Sequence, residues 1–197
     1  MEPRRRQIMA ATEQLIAEQG FDAFRLRDVA DRAQVSVGMI QHYFDTRDGL
    51  ALETVSSTTW RRAEEWSSLV QGVTDPVART RLLLDGSLSD AARCRAWMET
   101  CSAATRHAEL LPMIARIYQA WREALGDALQ AGIDEGVFAP VVPLDQVLDT
   151  IMAMIDGLMV AVGMQVYEVE PPYFARILTA TAEGLLGHRF TLAVDES

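Results

Sequence analysis

Residues 26–34 read LRDVADRAQ, and residues 35–44 follow at once with VSVGMIQHYF. The first stretch has the apolar spacing of a short helix. Ser36 is a good N-cap for a second helix over 37–44, because its hydroxyl accepts a first-turn N–H that has no partner inside the helix. Two short helices joined by a three-residue turn predict a helix-turn-helix. A helix this short is marginal alone, so neighbouring helices must hold it.

The second of these helices has an apolar face and a polar face. Val37, Ile40 and Phe44 follow the i, i+3, i+7 spacing, so we expect them to point mostly inward. Gln and His side chains on an outward face are able to reach base edges in a DNA groove. The remaining residues of this helix are expected on the outward face: Gly38, Met39, Gln41, His42 and Tyr43.

Charge is distributed unevenly along this acidic chain, whose net charge is −10 at pH 7. Residues 1–47 hold seven Arg and seven acidic residues, whereas the remainder holds eleven Arg and twenty-one Asp or Glu. Phosphates repel an acidic surface, so the N-terminal segment is the part suited to nucleic acid. The chain contains no lysine. Arg4, Arg5 and Arg6 are either a solvated basic end or an arm that follows phosphates or the minor groove.

The rest of the chain has helical spacing and no sustained strand-like alternation. A first helix ends at Gly20, and a fourth, capped by Asp45 or Thr46, runs to about residue 70. Gly or Pro marks the connections QGVTDP (71–76), EGVFAPVVP (135–143) and YEVEPP (167–172). Further helices are predicted at 76–88, 91–106, 110–135, 144–165 and 172–188. We therefore predict an all-α fold.

Several classes of function lack sequence support. No uncharged run of 18 apolar residues occurs, which argues against a transmembrane helix. Cys94 and Cys101 are about 10 Å apart along a helix, too far for an intrahelical disulfide. Reduced core cysteines are typical of a cytoplasmic protein. The three His are scattered, and no phosphate loop, nucleophile elbow or metal motif is present. We expect no enzyme, no metal site and no cofactor.

At this point the sequence resembles the TetR family of bacterial repressors. The resemblance is specific over residues 8–52, above all in LRDVADRAQVSVGMIQHYFDTRDGL (26–50). HYFDTRDGL (42–50) is similar to the branch that includes the choline-responsive regulators. RIYQAWREALGDALQAGIDEGVF (116–138) and IDGLMVA (155–161) look like the C-terminal domain of that branch. The resemblance implies an N-terminal three-helix helix-turn-helix domain over 1–47 and a larger helical domain over 48–197 for effector binding and dimerisation.

The resemblance also implies a set of DNA-binding residues. Gln34 stands where the family usually has Gly, so the turn is expected to be less tight or to carry a strained backbone. Gln41 stands where many members have a phosphate-binding Tyr, and Tyr43 is the candidate for that role. Arg47 replaces the common Lys and is still able to bind phosphate. The predicted DNA-binding set is Arg27, Ser36, Val37, Gly38, Gln41, His42, Tyr43 and Arg47.

An effector pocket is predicted between the helices at 91–106, 110–135 and 144–165. Residues at i, i+3 or i, i+4 share a helix face, and three such faces would enclose aromatic and Met walls with one carboxylate: Trp97, Cys101, Tyr118, Trp121, Met152 and Asp156. Asp156 is expected either to contact the ligand or to be hydrogen-bonded to an Arg or Tyr. The aromatics suit a cation. The many Met residues favour an uncharged lipophile over the cation.

The sequence thus predicts a cytoplasmic, homodimeric regulator that does not bind membranes. It would be a repressor, released from a palindromic double-stranded DNA operator by a small molecule. The alternative is a helix-turn-helix regulator without a small-molecule ligand, controlled by a protein partner or by abundance. An α-helical enzyme is a third possibility without a positive feature. The dimer is expected to be a four-helix bundle built on Val147, Ile151, Ile155, Leu158, Ile177, Leu178, Leu185 and Leu186.

Overall fold

A computed structural model of the chain describes residues 2–88, 90–165 and 171–190. Within these ranges the backbone is helical and contains no strand, as the all-α prediction requires. Most of the YEVEPP connection lies outside the described residues. The helices are α1 (Pro3–Gln19), α2 (Leu26–Ala33), α3 (Val37–Phe44), α4 (Arg47–Ser68), α5 (Pro76–Ser87), α6 (Ala91–Ala104), α7 (Leu111–Asp134), α8 (Leu144–Met164) and α9 (Pro171–Leu186), with a short 3-10 turn at Ala108–Leu110.

One compact unit comprises Met1–Arg62 and Ala96–Ile117. It contains α1, α2 and α3, which form the helix-turn-helix part of the fold, and the C-terminal part of α6. Ala103 and Leu110 are buried in the same apolar core as the helix-turn-helix. The large side chains of that core are fully buried, namely Ile8, Leu15, Phe21, Phe24, Ile40 and Leu50. This core gives the two-turn helix α3 the support that it lacks alone.

The turn between α2 and α3 has the geometry that the sequence predicts. The Ser36 hydroxyl accepts the N–H of Met39 at 3.1 Å, so it caps α3. Gln34 ends α2 in the left-handed region, at φ 51° and ψ 48°. A residue with a Cβ is strained there by about 1–2 kcal/mol, which glycine would avoid. The expected backbone strain at Gln34 is therefore confirmed.

The second compact unit comprises Ala63–Arg95 and Tyr118–Ser197. In its described part α9 packs against both α8 and α5. The indole N–H of Trp66 donates to the backbone oxygen of Leu83 at 3.0 Å and so joins α4 to α5. The boundary predicted between residues 47 and 48 separates a DNA-binding part from an effector-binding part, whereas the two units are defined by internal contacts. The predicted boundary therefore stays a prediction.

Among the described residues, helix α8 is long and apolar enough to cross a membrane by length and composition alone. However, 44% of its apolar stretch is buried inside the protein. Val147 and Ile151 are fully buried, and α8 packs against α9. Core helices pass the same test of length and composition.

Most residues predicted for the dimer bundle are instead buried within one chain. Leu178 and Leu186 are fully buried, and Val147, Ile151 and Ile155 also lie in the core. The reason is that α8 and α9 pack against each other through these faces, and α9 also packs against α5. Leu158, Ile177 and Leu185 are half-buried. The large apolar side chains that α8 and α9 expose are others, namely Val160, Met164 and Tyr173.

Candidate nucleic-acid interface and effector site

The polar face of α3 is open, as its spacing predicts. Ile40 and Phe44 are buried and Val37 is half-buried, so these three residues anchor the helix. Gly38, Met39, Gln41 and His42 are exposed. Two of these side chains, Gln41 and His42, carry groups that hydrogen-bond base edges. The structure thus leaves both predicted base-reading residues accessible to a groove.

Gly38 has no packing reason to be glycine. A Cβ at this position would meet only the Ser36 hydroxyl, at 4.0 Å, which is ordinary contact. Glycine inside a helix costs roughly 0.5–1 kcal/mol relative to alanine. The packing of the protein itself does not explain why this cost is accepted. A glycine at this position would allow another molecule to approach the backbone of α3 closely.

Tyr43 is half-buried at the edge of this face and already has a polar partner. Its hydroxyl donates to the Glu2 carboxylate at 2.8 Å, and this hydrogen bond is the main cause that raises the pKa of Tyr43. The His42 ring meets the Tyr43 ring edge-on, with centroids 5.5 Å apart. A phosphate contact by Tyr43 would have to replace Glu2 as the acceptor.

Some arginines near the helix-turn-helix are exposed, and others have partners within the protein. Arg27, in the first turn of α2, is exposed, as are Arg4 and Arg6. Arg5 is half-buried, forms an ion pair with Glu53 and lies over the Phe44 ring at 5.2 Å. All three N-terminal arginines lie in α1, so this basic end is helical, and its contact with phosphates or the minor groove stays a prediction. Proline at the first helical position explains the early start of α1, because its fixed φ favours the helix.

Arg47 has internal partners at the start of α4. Its guanidinium donates to the backbone oxygen of Phe21 and, at 3.4 Å, to that of Phe24. It also lies over the Phe24 ring at 4.5 Å and pairs with the neighbouring Asp48. These contacts fix the entry of α4 against the helix-turn-helix core. A phosphate contact by Arg47 stays a prediction, and it would compete with these bonds.

The second unit brings part of the predicted effector site together. The Tyr118 hydroxyl of α7 donates to the Asp156 carboxylate of α8 at 2.6 Å. The Tyr118 ring packs edge-on against Trp121, with centroids 5.8 Å apart. Of the two roles expected for Asp156, the hydrogen bond to a Tyr is therefore present. Met152 is one turn earlier in α8 and is buried.

Trp66 completes this group and was missed in the sequence. Its ring meets Trp121 edge-on at 6.2 Å. Three aromatic rings and one acidic side chain thus form a series of direct contacts. We call this set the aromatic–carboxylate group: Trp66, Tyr118, Trp121 and Asp156. Trp66 lies on α4, which the sequence analysis assigned to no pocket, so only its residue type could have suggested it.

The other two predicted effector residues lie on α6 in the first unit. Trp97 is buried and Cys101 is half-buried, one helical turn further on. Both cysteines are reduced, in agreement with the sequence analysis. Burial raises the pKa of the Cys94 thiol to about 11, so that thiol is a poor nucleophile. Contact of Trp97 and Cys101 with an effector stays a prediction.

Two family models match the chain. A model for bacterial regulatory proteins of the tetR family matches residues 8–54. A model for the C-terminal part of BetI-type transcriptional repressors matches residues 76–187. The two matches cover the helix-turn-helix and most of the helices after it.

Similar proteins support the same assignment. The HTH-type transcriptional regulator BetI of Burkholderia lata is 31% identical over 168 residues, which are 80% of each chain. A putative transcriptional regulator from Saccharomonospora viridis, solved in complex with choline, has the same fold, with a TM-score of 0.83, 20% identity and coverage of 91% of this chain and 95% of that one. A TetR regulator from Haloarcula marismortui aligns with a TM-score of 0.82 at 25% identity, covering 93% and 98%.

The family consists of regulators rather than enzymes, and its helix-turn-helix binds DNA. In this chain the matched helix-turn-helix is followed by the matched C-terminal part. The protein is a DNA-binding transcriptional regulator of the TetR family, with the C-terminal domain of the BetI-type repressors.

Proposed function

We propose that the protein is a cytoplasmic homodimeric repressor, which a small quaternary ammonium cation releases from a palindromic operator. The observation that carries the choice of ligand is the aromatic–carboxylate group. Aromatic faces attract quaternary ammonium ions, and the attraction grows when the ion loses its water. Asp156 adds an acidic side chain beside the rings, which would pair with a cation and which a lipophile would not use. The choline found with the Saccharomonospora viridis regulator supports this class of ligand.

From the sequence we preferred a lipophile because of the many Met residues, and this proposal replaces that preference because methionine suits both classes of ligand. The methyl groups of a quaternary ammonium are apolar, so an adaptable thioether side chain such as that of Met152 suits them as well. Removing part of a carboxylate from water costs free energy, and the hydrogen bond from Tyr118 to the half-buried Asp156 offsets part of that cost. The charge of Asp156 is therefore the feature that separates the two classes of ligand.

The proposed DNA complex follows from the open face of α3. Each protomer would place α3 in a major groove, with Gln41 and His42 at base edges. Arg27 and Tyr43 would then contact phosphates. In a two-fold dimer the half-site centres lie about 34–36 Å apart, or a multiple of that distance. The ligand would weaken binding because it prefers a conformation with a different spacing of the two α3 helices.

Dimerisation is proposed through α8 and α9. Val160, Met164 and Tyr173 expose 43%, 58% and 44% of their surfaces, and all three lie on this pair of helices. The side chains buried within the chain hold α8 to α9, so the exposed ones are left to meet a second copy. The two pairs would then form the expected four-helix bundle.

A thermal-shift experiment with two matched ligands tests the proposal. Choline and its uncharged carbon isostere, 3,3-dimethylbutan-1-ol, have nearly the same shape and differ in charge. Any ligand that binds only the folded state raises the melting temperature by mass action, and a 100-fold excess over Kd is worth about 2.7 kcal/mol. We expect a shift with choline and a much smaller one with the alcohol.

The other outcomes identify the competing functions. Equal shifts with both compounds would favour a lipophile effector. A shift with neither would favour a regulator controlled by a protein partner or by abundance. A gel shift with an operator selected from a random-sequence library then tests release, since choline should lower operator affinity in proportion to its occupancy.

A further inference from the structure

The connection between α1 and α2, residues 20–25, is held from α6. The Glu99 carboxylate accepts the backbone N–H of Phe21 at 2.8 Å. Gly20 has φ +91°, and a Cβ there would lie 3.3 Å from the same carboxylate oxygen. The backbone conformation therefore favours glycine, and a Cβ would also press on the Glu99 carboxylate. A hydrogen bond to a charged acceptor is about twice as strong as a neutral one.

A second bond from the same region holds the next residue of the connection. The two oxygens of Asp22 are both occupied, one by Arg106 at 2.9 Å and the other by the His107 ring nitrogen at 2.7 Å. The His107 hydrogen bond is the main reason that the pKa of Asp22 lies below its usual range, and Arg106 adds to it. The His107 ring also packs on Phe21, with centroids 4.7 Å apart.

The helical position of Glu99 relates it to the predicted effector residues. Trp97 and Cys101 each lie two residues from Glu99 in α6. At 3.6 residues per turn, a step of two residues is about 200°, so Glu99 faces away from both. Ala96–Ile117 belongs to the same compact unit as the helix-turn-helix. A movement of α6 would therefore act directly on the α1–α2 connection.

We propose that Glu99 is a positioning residue, which locks the α1–α2 connection to α6 and thereby fixes the orientation of α3 and carries the effector signal to it. The part about the signal rests on the proposed function. The part about orientation does not, because it concerns operator binding without ligand. Arg47 holds the same connection from α4, through the backbone oxygens of Phe21 and Phe24, in addition to the contacts of Glu99, Arg106 and His107.

The test compares Glu99→Ala and Glu99→Gln with Glu109→Gln. Glu109 is an exposed carboxylate of the same unit and serves as the matched control. Each protein is titrated with the selected operator and with two versions that have one base pair added or removed between the half-sites. The wild type should lose at least about tenfold in affinity for the altered spacings, since each tenfold corresponds to about 1.4 kcal/mol.

The expected result is a loss of discrimination between spacings. Glu99→Ala should bind all three operators within about threefold of one another, because an unlocked α3 adapts to each. Glu99→Gln retains a neutral acceptor and should lie between Glu99→Ala and the wild type, while Glu109→Gln should match the wild type. A general loss of stability would weaken binding to all three operators equally, and that outcome would overturn the proposal.

A choline titration separates this inference from the proposed function. In Glu99→Ala the melting-temperature shift with choline should equal that of the wild type, while the factor by which choline lowers operator affinity should fall about tenfold. Wild-type spacing discrimination and a wild-type choline factor in Glu99→Ala would overturn the proposal. If the wild type itself shows no choline shift, the proposed effector fails, and the spacing experiment alone decides the role of Glu99.

Discussion

The hydroxyl of Tyr118 donates to the carboxylate of Asp156 across α7 and α8, and the Tyr118 ring contacts Trp121. The hydrogen bond orients both side chains, so that the acidic group stays beside the aromatic rings. This arrangement ties the only acidic residue of the predicted effector set to the aromatic residues on the neighbouring helix. The contributions of the charge and of the hydrogen bond to ligand binding are therefore separable by mutation.

We predict that Asp156→Asn weakens choline binding by tenfold or more while it changes stability little. The amide oxygen still accepts the Tyr118 hydrogen bond, but the counter-charge is lost. Tyr118→Phe is the complementary variant, since it keeps the charge and removes the bond. Calorimetric Kd values for both variants check this, and operator affinity without ligand should stay at the wild-type level. A wild-type Kd in Asp156→Asn would exclude a cationic ligand at this site.

The predictability of this group differs from residue to residue. Tyr118 and Trp121 could be placed on one face of α7 because residues at i, i+3 share a helix face. Asp156 was predicted to be near them as an effector residue, and that role stays a prediction. Trp66 could not be predicted, because its contact with Trp121 depends on how α4 packs on α7, and no local pattern encodes that packing.

The same distinction holds for the fold. Helix bounds followed from caps and breakers, such as Ser36 before α3 and Pro76 at the start of α5. The strain at Gln34 followed from a missing glycine. The Glu99–Phe21 hydrogen bond joins residues far apart in the chain, and the sequence contains no sign of it. The dimer residues were predicted poorly because an apolar face does not reveal whether its partner is the same chain or a second copy.

We predict that Gly38→Ala stabilises the protein and weakens operator binding. The added methyl group has free space in the protein alone, and alanine is favoured in helices by roughly 0.5–1 kcal/mol. On DNA the same methyl group would keep the backbone of α3 from approaching closely. Urea unfolding should show the gain, and fluorescence anisotropy should show at least a tenfold rise in Kd. Unchanged affinity would remove the argument that α3 is closely approached.

Substitutions of Arg27 and Arg47 should have different effects, the first on DNA binding and the second on the stability of the fold. Arg27 is exposed, so Arg27→Ala should leave the melting temperature unchanged. If it contacts a phosphate, its loss should lower the slope of log Kobs against log salt by about one unit. Arg47→Ala should destabilise the fold by about 1.5–3 kcal/mol, because charged hydrogen bonds to the oxygens of Phe21 and Phe24 are lost. An unaltered salt slope in Arg27→Ala would exclude its phosphate contact.

The Asp22 carboxylate should make stability depend on acid. Its pKa is lowered in the folded chain, first by the His107 hydrogen bond and further by Arg106. A lowered pKa gives a contribution that is present above the unfolded-state value, near pH 4, and that is lost as the pH falls through the folded-state value. Asp22→Asn should therefore be less stable than the wild type at pH 7, and the difference should shrink towards pH 3. Urea midpoints over this range check the sign, with Asp31→Asn, an exposed carboxyl on α2, as control.

The proposed dimer predicts opposite results for exposed and buried apolar residues of α8 and α9. A carboxylate at Val160 or Met164, both exposed, should leave each chain folded but should be costly to bury between two copies. We therefore expect Val160→Glu and Met164→Glu to be monomers at micromolar concentration by light scattering, with a helical circular dichroism spectrum.

Two controls test whether the effect belongs to this surface. Leu111→Glu changes an equally exposed leucine on α7 and should remain a dimer. Leu178→Asp places a charge in the interior of one chain and should unfold the protein rather than dissociate it. Because a monomer presents one α3 helix instead of two, the Val160→Glu protein should bind a palindromic operator no better than a single half-site. Dimers in both α8 variants would place the interface on another surface of the chain.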